Sequence, residues 1–328
     1  MTRIIAMLAT VVALLMLTAP FADAQSGPVH RIGIFGENAS DPEETRLWQG
    51  FRLALRERGW IEGENILIEY RWAEGNSARE REAAADLLRL KVALIVTRGS
   101  RHVQPLKDVT SSIPIIFLVH ADPVGLGHVA SFAKPGGNIT GLALQATDIV
   151  SKELEMLISA VPAANRIAVL WNPDVPSHVP SVKALEQAAR ALRLRLTIIA
   201  VRTSQELEGA FSQMAQERAQ AVLVLSSADF IAQRQRIAEL AIRHRLPSMF
   251  APRQHVEAGG LMSYGADFND LFRRGAMYAD RILKGAKPSE LPVEQASKFE
   301  LIINLKTAKA LGLTIPQSVL LQANQIIE

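Results

Sequence analysis

The chain has 328 residues, 48% hydrophobic and 5% aromatic, apolar material for about two domains at roughly 100–200 residues each. Thirty-six Lys and Arg stand against 33 Asp and Glu, a formal charge of +3, and the basic residues are scattered rather than gathered into a stripe; no nucleic-acid partner is expected. There is no cysteine, which excludes disulfides, thiolate metal sites, a cysteine nucleophile and the lipid-attachment residue of a bacterial lipoprotein.

Residues 1–24 read as a signal peptide. Arg3 gives the positive charge, Ile4 to Leu17 is nearly all apolar, and Ala22-Asp23-Ala24 supplies small residues before a cut ahead of Gln25. A membrane anchor needs about 20 apolar residues, more than this run offers, and no later stretch is long enough. The expected protein is exported, unlipidated and not membrane-spanning after cleavage, which fits a Gram-negative periplasm.

Strand and helix patterns then alternate. Arg31 to Phe35 is a buried strand; Asp41 caps a helix with Pro42 at its first position and Glu44 placed for a capping box, and Gly59 ends it. Ile66 to Tyr70 is a strand, Ala78 to Leu90 a helix, and Val92 to Val96 and Ile113 to Val119 are apolar runs. Ile139 to Leu144 (strand), Ile149 to Val161 (helix), Ile167 to Leu170 (strand) and Ser181 to Leu192 (helix) follow. Leu196 to Val201, a helix near Gln205 to Arg218, Ala221 to Leu225 and a helix over Phe230 to Arg245 complete the series. Short strands apolar on both faces, separated by amphipathic helices, imply an α/β chain with parallel sheets covered on both sides. About ten such units exceed one open sheet, so two lobes are expected, with a boundary near Gln145 to Asp148.

Ligands of open parallel sheets collect beyond the carboxyl ends of the strands. Those ends are Gly36-Glu37-Asn38, Thr97-Arg98-Gly99-Ser100, His120-Ala121-Asp122, Trp171-Asn172-Pro173-Asp174, Ser226-Ser227-Ala228-Asp229 and Tyr264-Gly265-Ala266-Asp267. Hydroxyls, amides and single carboxylates recur there, as at the lip of a shared polar cleft. Arg98 and His120 would favour an anionic group, and Trp171 and Tyr264 could stack on a flat one. A plainer reading stands beside this: Asp122, Asp229 and Asp267 can each cap a following helix, and the aromatics can be core. Gly-x-Ser-x-Gly, a Walker loop and a paired-histidine zinc helix are absent, and His102, His120, His128 and His178 lack metal-ligand spacing. His244, on an amphipathic segment, reads as a surface residue. No catalytic residue, metal or cofactor is expected.

"EGENILIEYRWAEGN" (62–76), "ADPVGLGHVASFAKPGGNITGL" (121–142), "GGLMSYG" (259–265) and "KFELIINLKTAKALGLTIP" (298–316) together resemble the signatures of the ABC-transporter substrate-binding proteins that include tryptophan- and aromatic-amino-acid-binding members. The resemblance covers the whole mature chain. It implies a type I periplasmic-binding-protein fold, two doubly wound parallel-sheet lobes joined by three crossovers near Gln145, near Ala266 and near the end of Phe299 to Leu305. Residues 25–146 plus about 267–300 would form a discontinuous N-terminal lobe, 147–266 the C-terminal lobe, and 301–328 a crossover segment with helices.

Carried over by position, Thr97, Ser100, Asp122, Ser227, Asp229 and Asp267 would hold the amino and carboxyl groups of an amino-acid-like or aromatic carboxylate solute. The solute would then pass to ABC permease subunits with a separate ATPase, and the protein would act as a monomer. Thr97-Arg98-Gly99-Ser100-Arg101 departs from relatives that read Thr-Gly-Gly-Thr or Ala-Thr-Pro, and leaves the side-chain pocket open. Other expectations for the same architecture are an exported α/β enzyme with Asp122 or His120 as base, a regulator's sensing module, which would carry a helix-turn-helix where the signal peptide stands, and a ligand-delivery protein for a membrane sensor.

Overall fold

The computed structural model describes residues 29–74, 76–144 and 146–328. The expected signal peptide and Gln145 lie outside the described residues. The first sheet is built from β1 (His30–Gly36), β2 (Ile66–Trp72), β3 (Leu94–Gly99), β4 (Ile115–His120) and β5 (Ile139–Ala143), with helices α1 (Pro42–Arg56), α2 (Ser77–Arg89) and α3 (Ser100–Val109) between them. Leu94 and Val96 enter the core under α1 while Ile95 enters the one under α2 and α3, so both faces of β3 are buried. That is why its sequence is a run rather than an alternation.

The second sheet follows α4 (Ala146–Ala160): β6 (Arg166–Trp171), α5 (His178–Ala191), β7 (Arg195–Ala200), α6 (Leu207–Gln216), β8 (Ala221–Val224), α7 (Ala228–Ala232), α8 (Arg234–Arg243), β9 (Ser248–Phe250), α9 (Gln254–Glu257) and β10 (Met262–Ala266). The helix expected over Phe230 to Arg245 is two, broken at Gln233. His244, at the end of α8, is half-buried with its ring 5.9 Å from that of Phe211 rather than fully on the surface.

The chain then returns to the first sheet. Helix α10 (Phe268–Leu283) buries Leu271, Phe272, Ala276 and Tyr278 against Trp48 and Phe51 of α1, with the Trp48 and Phe272 rings 4.9 Å apart. Strand β11 (Glu294–Gln295) pairs in parallel with β5. Strand β12 (Phe299–Asn304) pairs antiparallel with β10, so the third passage falls over 296–298, ahead of Phe299 to Leu305 rather than at its end. The reason is apolar character on both faces: Leu301 and Ile303 enter one core of the second sheet and Ile302 the other. Helices α11 (Leu305–Ala310) and α12 (Gln317–Leu320) lead to β13 (Gln325–Ile327), parallel to β12.

The strand orders are β11-β5-β4-β3-β1-β2 and β13-β12-β10-β9-β8-β6-β7. These are two doubly wound lobes joined by three crossovers.

Candidate functional site

Asp41 caps α1 as expected, accepting from Glu43 N at 3.0 Å. Glu44 does not complete a capping box. Its carboxylate reaches back to the loop after β1, accepting from Glu37 N and Asn38 N at 3.0 Å each, and from Trp48 Nε1 at 3.3 Å. Three donors satisfy a carboxylate that is only 1% exposed. Asn38 is exposed at this loop's tip, its Oδ1 accepting from Ser40 N.

At the end of β3, Thr97 is fully buried and its hydroxyl has no hydrogen-bond partner among the described residues. Arg98 lies over the Phe268 ring, 5.7 Å from its centroid, and 3.8 Å from Glu44. Gly99 stands at the N-cap of α3, where no side chain caps the helix. The amino end of α3 therefore presents main-chain donors and the positive end of its dipole beyond the strand.

Strand β4 loses regular register with β5 between Phe117 and His120. The following residues form turns, not a helix for Asp122 to cap: Asp122 Oδ1 accepts from Gly125 N at 2.7 Å. His120 is completely buried. A main-chain N–H can only donate, so the 3.2 Å contact from Asp122 N makes His120 Nδ1 an acceptor and puts its proton on Nε2. That proton is donated to His128 Nδ1 at 2.7 Å, and His128 Nε2 donates to Gln104 Oε1 at 3.2 Å. Ser100 Oγ lies 3.3 Å from His120 Nδ1 and accepts from Ala121 N at 2.9 Å. Burial, with His128 beside it, lowers the His120 pKa to about 3. With both nitrogens spent inside the lobe, His120 shapes the turn that carries Asp122, ties it to Ser100 at the start of α3, and has no free lone pair for a substrate proton.

The second lobe repeats the device. Asn172 is 3% exposed; its N–H donates to His178 Nδ1 at 3.0 Å and its Oδ1 accepts from Asp174 N at 2.9 Å. His178 Nε2 donates to Ser226 O at 3.0 Å, tying the β6 and β8 tips together. Ser227, not Asp229, caps α7, accepting from Phe230 N at 3.2 Å; Asp229 is exposed in the first turn. Trp171 is half-buried against its lobe's core, and Tyr264 stacks on Phe299 with centroids 5.9 Å apart. Asp267 caps α10, accepting from Asn269 N at 2.9 Å and Asp270 N at 3.3 Å.

The structure thus joins Ser100, His120 and Asp122 in the first lobe, with Arg98 apart on Glu44 and Phe268, and joins Asn172 through His178 to the Ser226–Ser227 tip in the second; these are two clusters. Among the described residues no hydrogen bond or ion pair links these clusters. The lobes face one another at a small cavity lined by Glu43, Arg46 and Phe268 from one side and Arg253, Gln254 and Glu300 from the other. Sequence reasoning missed this charged set, and it missed Gln104 and the linking role of His128. The His120–His128 spacing was visible, but only the turn brings the rings together. Among the described residues no group of three or more His, Cys, Asp or Glu is placed to hold a metal, and no helix is long and apolar enough to cross a membrane.

Two parallel-dominated sheets, crossed three times by the chain and carrying polar strand tips, define a type I periplasmic-binding-protein fold. The family model for ABC transporter substrate binding proteins matches residues 38–327, and the chain belongs to that family of extracytoplasmic proteins, which bind a small solute and work with a membrane permease. It is 26% identical over 272 residues to a tyrosine-binding protein of Clostridioides difficile strain R20291, covering 83% of this chain and 78% of that one. A Streptococcus pneumoniae ABC domain in complex with L-Trp superposes with a TM-score of 0.83 at 26% identity, covering 91% of this chain and all of the other. A ligand-free, open substrate-binding protein with adhesive properties from Clostridium difficile gives 0.74 at the same identity, covering 91% and 99%.

Proposed function

We propose that this solute-binding protein of an ABC importer captures a small amino-acid-like or aromatic carboxylate solute between its lobes, in the periplasm, as a monomer. The observation that carries the reading is the pairing of the uncapped amino end of α3 with the unpartnered, buried Thr97 hydroxyl at the carboxyl edge of the first sheet. A carboxylate placed there would meet main-chain donors and the helix dipole. Ser100, Asp122 and Asn38 from the first lobe and Trp171, Asn172, Ser227, Asp229 and Tyr264 from the second would frame the rest, with Asp267 at the crossover.

The tyrosine-binding relative and the tryptophan-bound neighbour support an amino-acid-like guest. Superposition is better on the tryptophan-bound neighbour than on the open, ligand-free one, which supports a closed arrangement here. Contacts made to both lobes would favour closure, and the closed form would dock on the permease, with ATP hydrolysed by a separate subunit. Native mass spectrometry of freshly purified protein, followed by a thermal-shift screen of amino acids and aromatic acids, tests the reading. A co-purified solute of this class, or a melting-temperature rise with a class member, is expected; silence in both overturns it.

A further inference from the structure

Arg98 makes no hydrogen bond among the described residues, although its side chain is only 16% exposed. Among the described residues only Glu44 lies within ion-pair distance, at 3.8 Å, too long for a hydrogen bond, and the Glu43 carboxylate feels the same charge from farther off. Nor does Glu44 need it, since Glu37 N, Asn38 N and Trp48 Nε1 already occupy that carboxylate. Glu44 and the Phe268 ring therefore fix the guanidinium by long-range attraction and cation–π contact without using its five N–H donors.

The position is also specific. Arg98 lies two residues before the amino end of α3, and Phe268, which it covers, lines the cavity between the lobes. A guanidinium held in place with its donors unspent suits a planar or tetrahedral oxyanion, which it can grip with two parallel hydrogen bonds.

We propose that Arg98 is a specificity-determining residue that selects solutes carrying a second acidic group, a carboxylate or phosphate, beyond the carboxylate held at α3. This rests on the reading of the cleft given above and narrows its solute class from amino-acid-like and aromatic carboxylates to those among them that carry a second acidic group.

Titration calorimetry on the full-length mature protein tests it with three matched pairs: L-glutamate and L-glutamine, 4-carboxy-L-phenylalanine and L-phenylalanine, O-phospho-L-serine and L-serine. The acidic member of at least one pair is expected to bind at least ten-fold more tightly, about 1.4 kcal/mol. The pair that shows the preference separates carboxylate from phosphate as the second group. Arg98→Gln should reduce that acidic-to-neutral ratio at least ten-fold. If Arg98→Gln does not fold, Arg98→Lys, which keeps the charge but loses the fork, should reduce the ratio at least three-fold.

Equal or tighter binding of the neutral member in every pair overturns the proposal, as does silence across all six compounds or a ratio that survives the substitution. Tight binding of neutral amino acids alone would leave the solute-binding reading standing while removing this one. A co-purified solute with a single acidic group would do the same.

Discussion

His120 and His128 share one proton across a 2.7 Å Nε2–Nδ1 hydrogen bond, in a chain that runs from Asp122 N to Gln104 Oε1. Each ring carries one proton, and both remaining ring nitrogens are accepting, so the chain has no place for an additional one. Burial lowers the pKa of His120 from 6.5 to about 3 and that of His255 to about 4, and burial also lowers His128 and His178. At these four histidines the unfolded chain therefore binds more protons than the folded one below pH 6.5. The histidine contribution is complete above that pH and is lost as pH falls toward 3. The His120 share alone is roughly 3 kcal/mol between pH 6.5 and 4. Calorimetric melting temperatures at pH 7.5, 6, 5 and 4 should fall steeply in the native sequence and less steeply in a His120→Gln/His128→Gln double variant. Parallel curves would refute this account of the acid sensitivity.

Glu153 on α4 has the opposite sign. It is 1% exposed, Oε1 has no hydrogen-bond partner among the described residues, and burial pushes the carboxyl up to about 8 from 4.5. The folded protein retains a proton that the unfolded chain gives up between pH 4.5 and 8, so stability falls as pH rises through that window. Glu153→Gln should gain on the order of 3 kcal/mol at pH 8 and little at pH 5. Chemical denaturation at the two pH values measures the difference, and an equal effect at both would exclude a titrating Glu153.

The turn role of Asp122 and its proposed solute contact can be separated by a pair of substitutions. Asp122→Asn keeps an oxygen for Gly125 N and removes the charge. Solute affinity should drop at least ten-fold, consistent with a charged hydrogen bond of about 1.5–3 kcal/mol, with the melting temperature nearly unchanged. Asp122→Ala should lose about 1 kcal/mol of stability besides, by analogy with helix caps. If the Asn variant binds solute like the native protein, Asp122 serves the turn alone.

Gly141 faces Phe117 across β4 and β5, and a Cβ there would lie 2.0 Å from the Phe117 carbonyl oxygen at a φ of +147°. Neither strand can yield, because both are fully packed on each side. Gly141→Ala should cost roughly 3 kcal/mol or more. Urea denaturation would show this as a lower midpoint; a shift of less than about 0.5 kcal/mol would mean that the strand pair relaxes.

The alternating architecture was legible because fully buried parallel strands are written as apolar runs and their helices as one-faced stripes. Asp41 and Asp267 were legible as caps, since a cap is set by neighbours in sequence. What escaped depends on distant partners. Gln233 breaks a segment whose apolar spacing is continuous, and Ser227 displaced Asp229 as cap by two residues. Glu44 satisfies a loop before its own helix, and Arg98 leans on a phenylalanine delivered by the second crossover. Strand β11, two residues long, is too short to have a pattern.

The excursion of α10 and β11 into the first sheet also limits how the gene can be divided. A fragment ending near residue 145 would lack Leu271, Phe272 and Tyr278 from the core beneath α1, and the remainder would carry an orphaned amphipathic helix. No single cut yields two self-sufficient halves. Separating them calls for circular permutation, or for a graft that joins β5 to the segment beginning at Asp267.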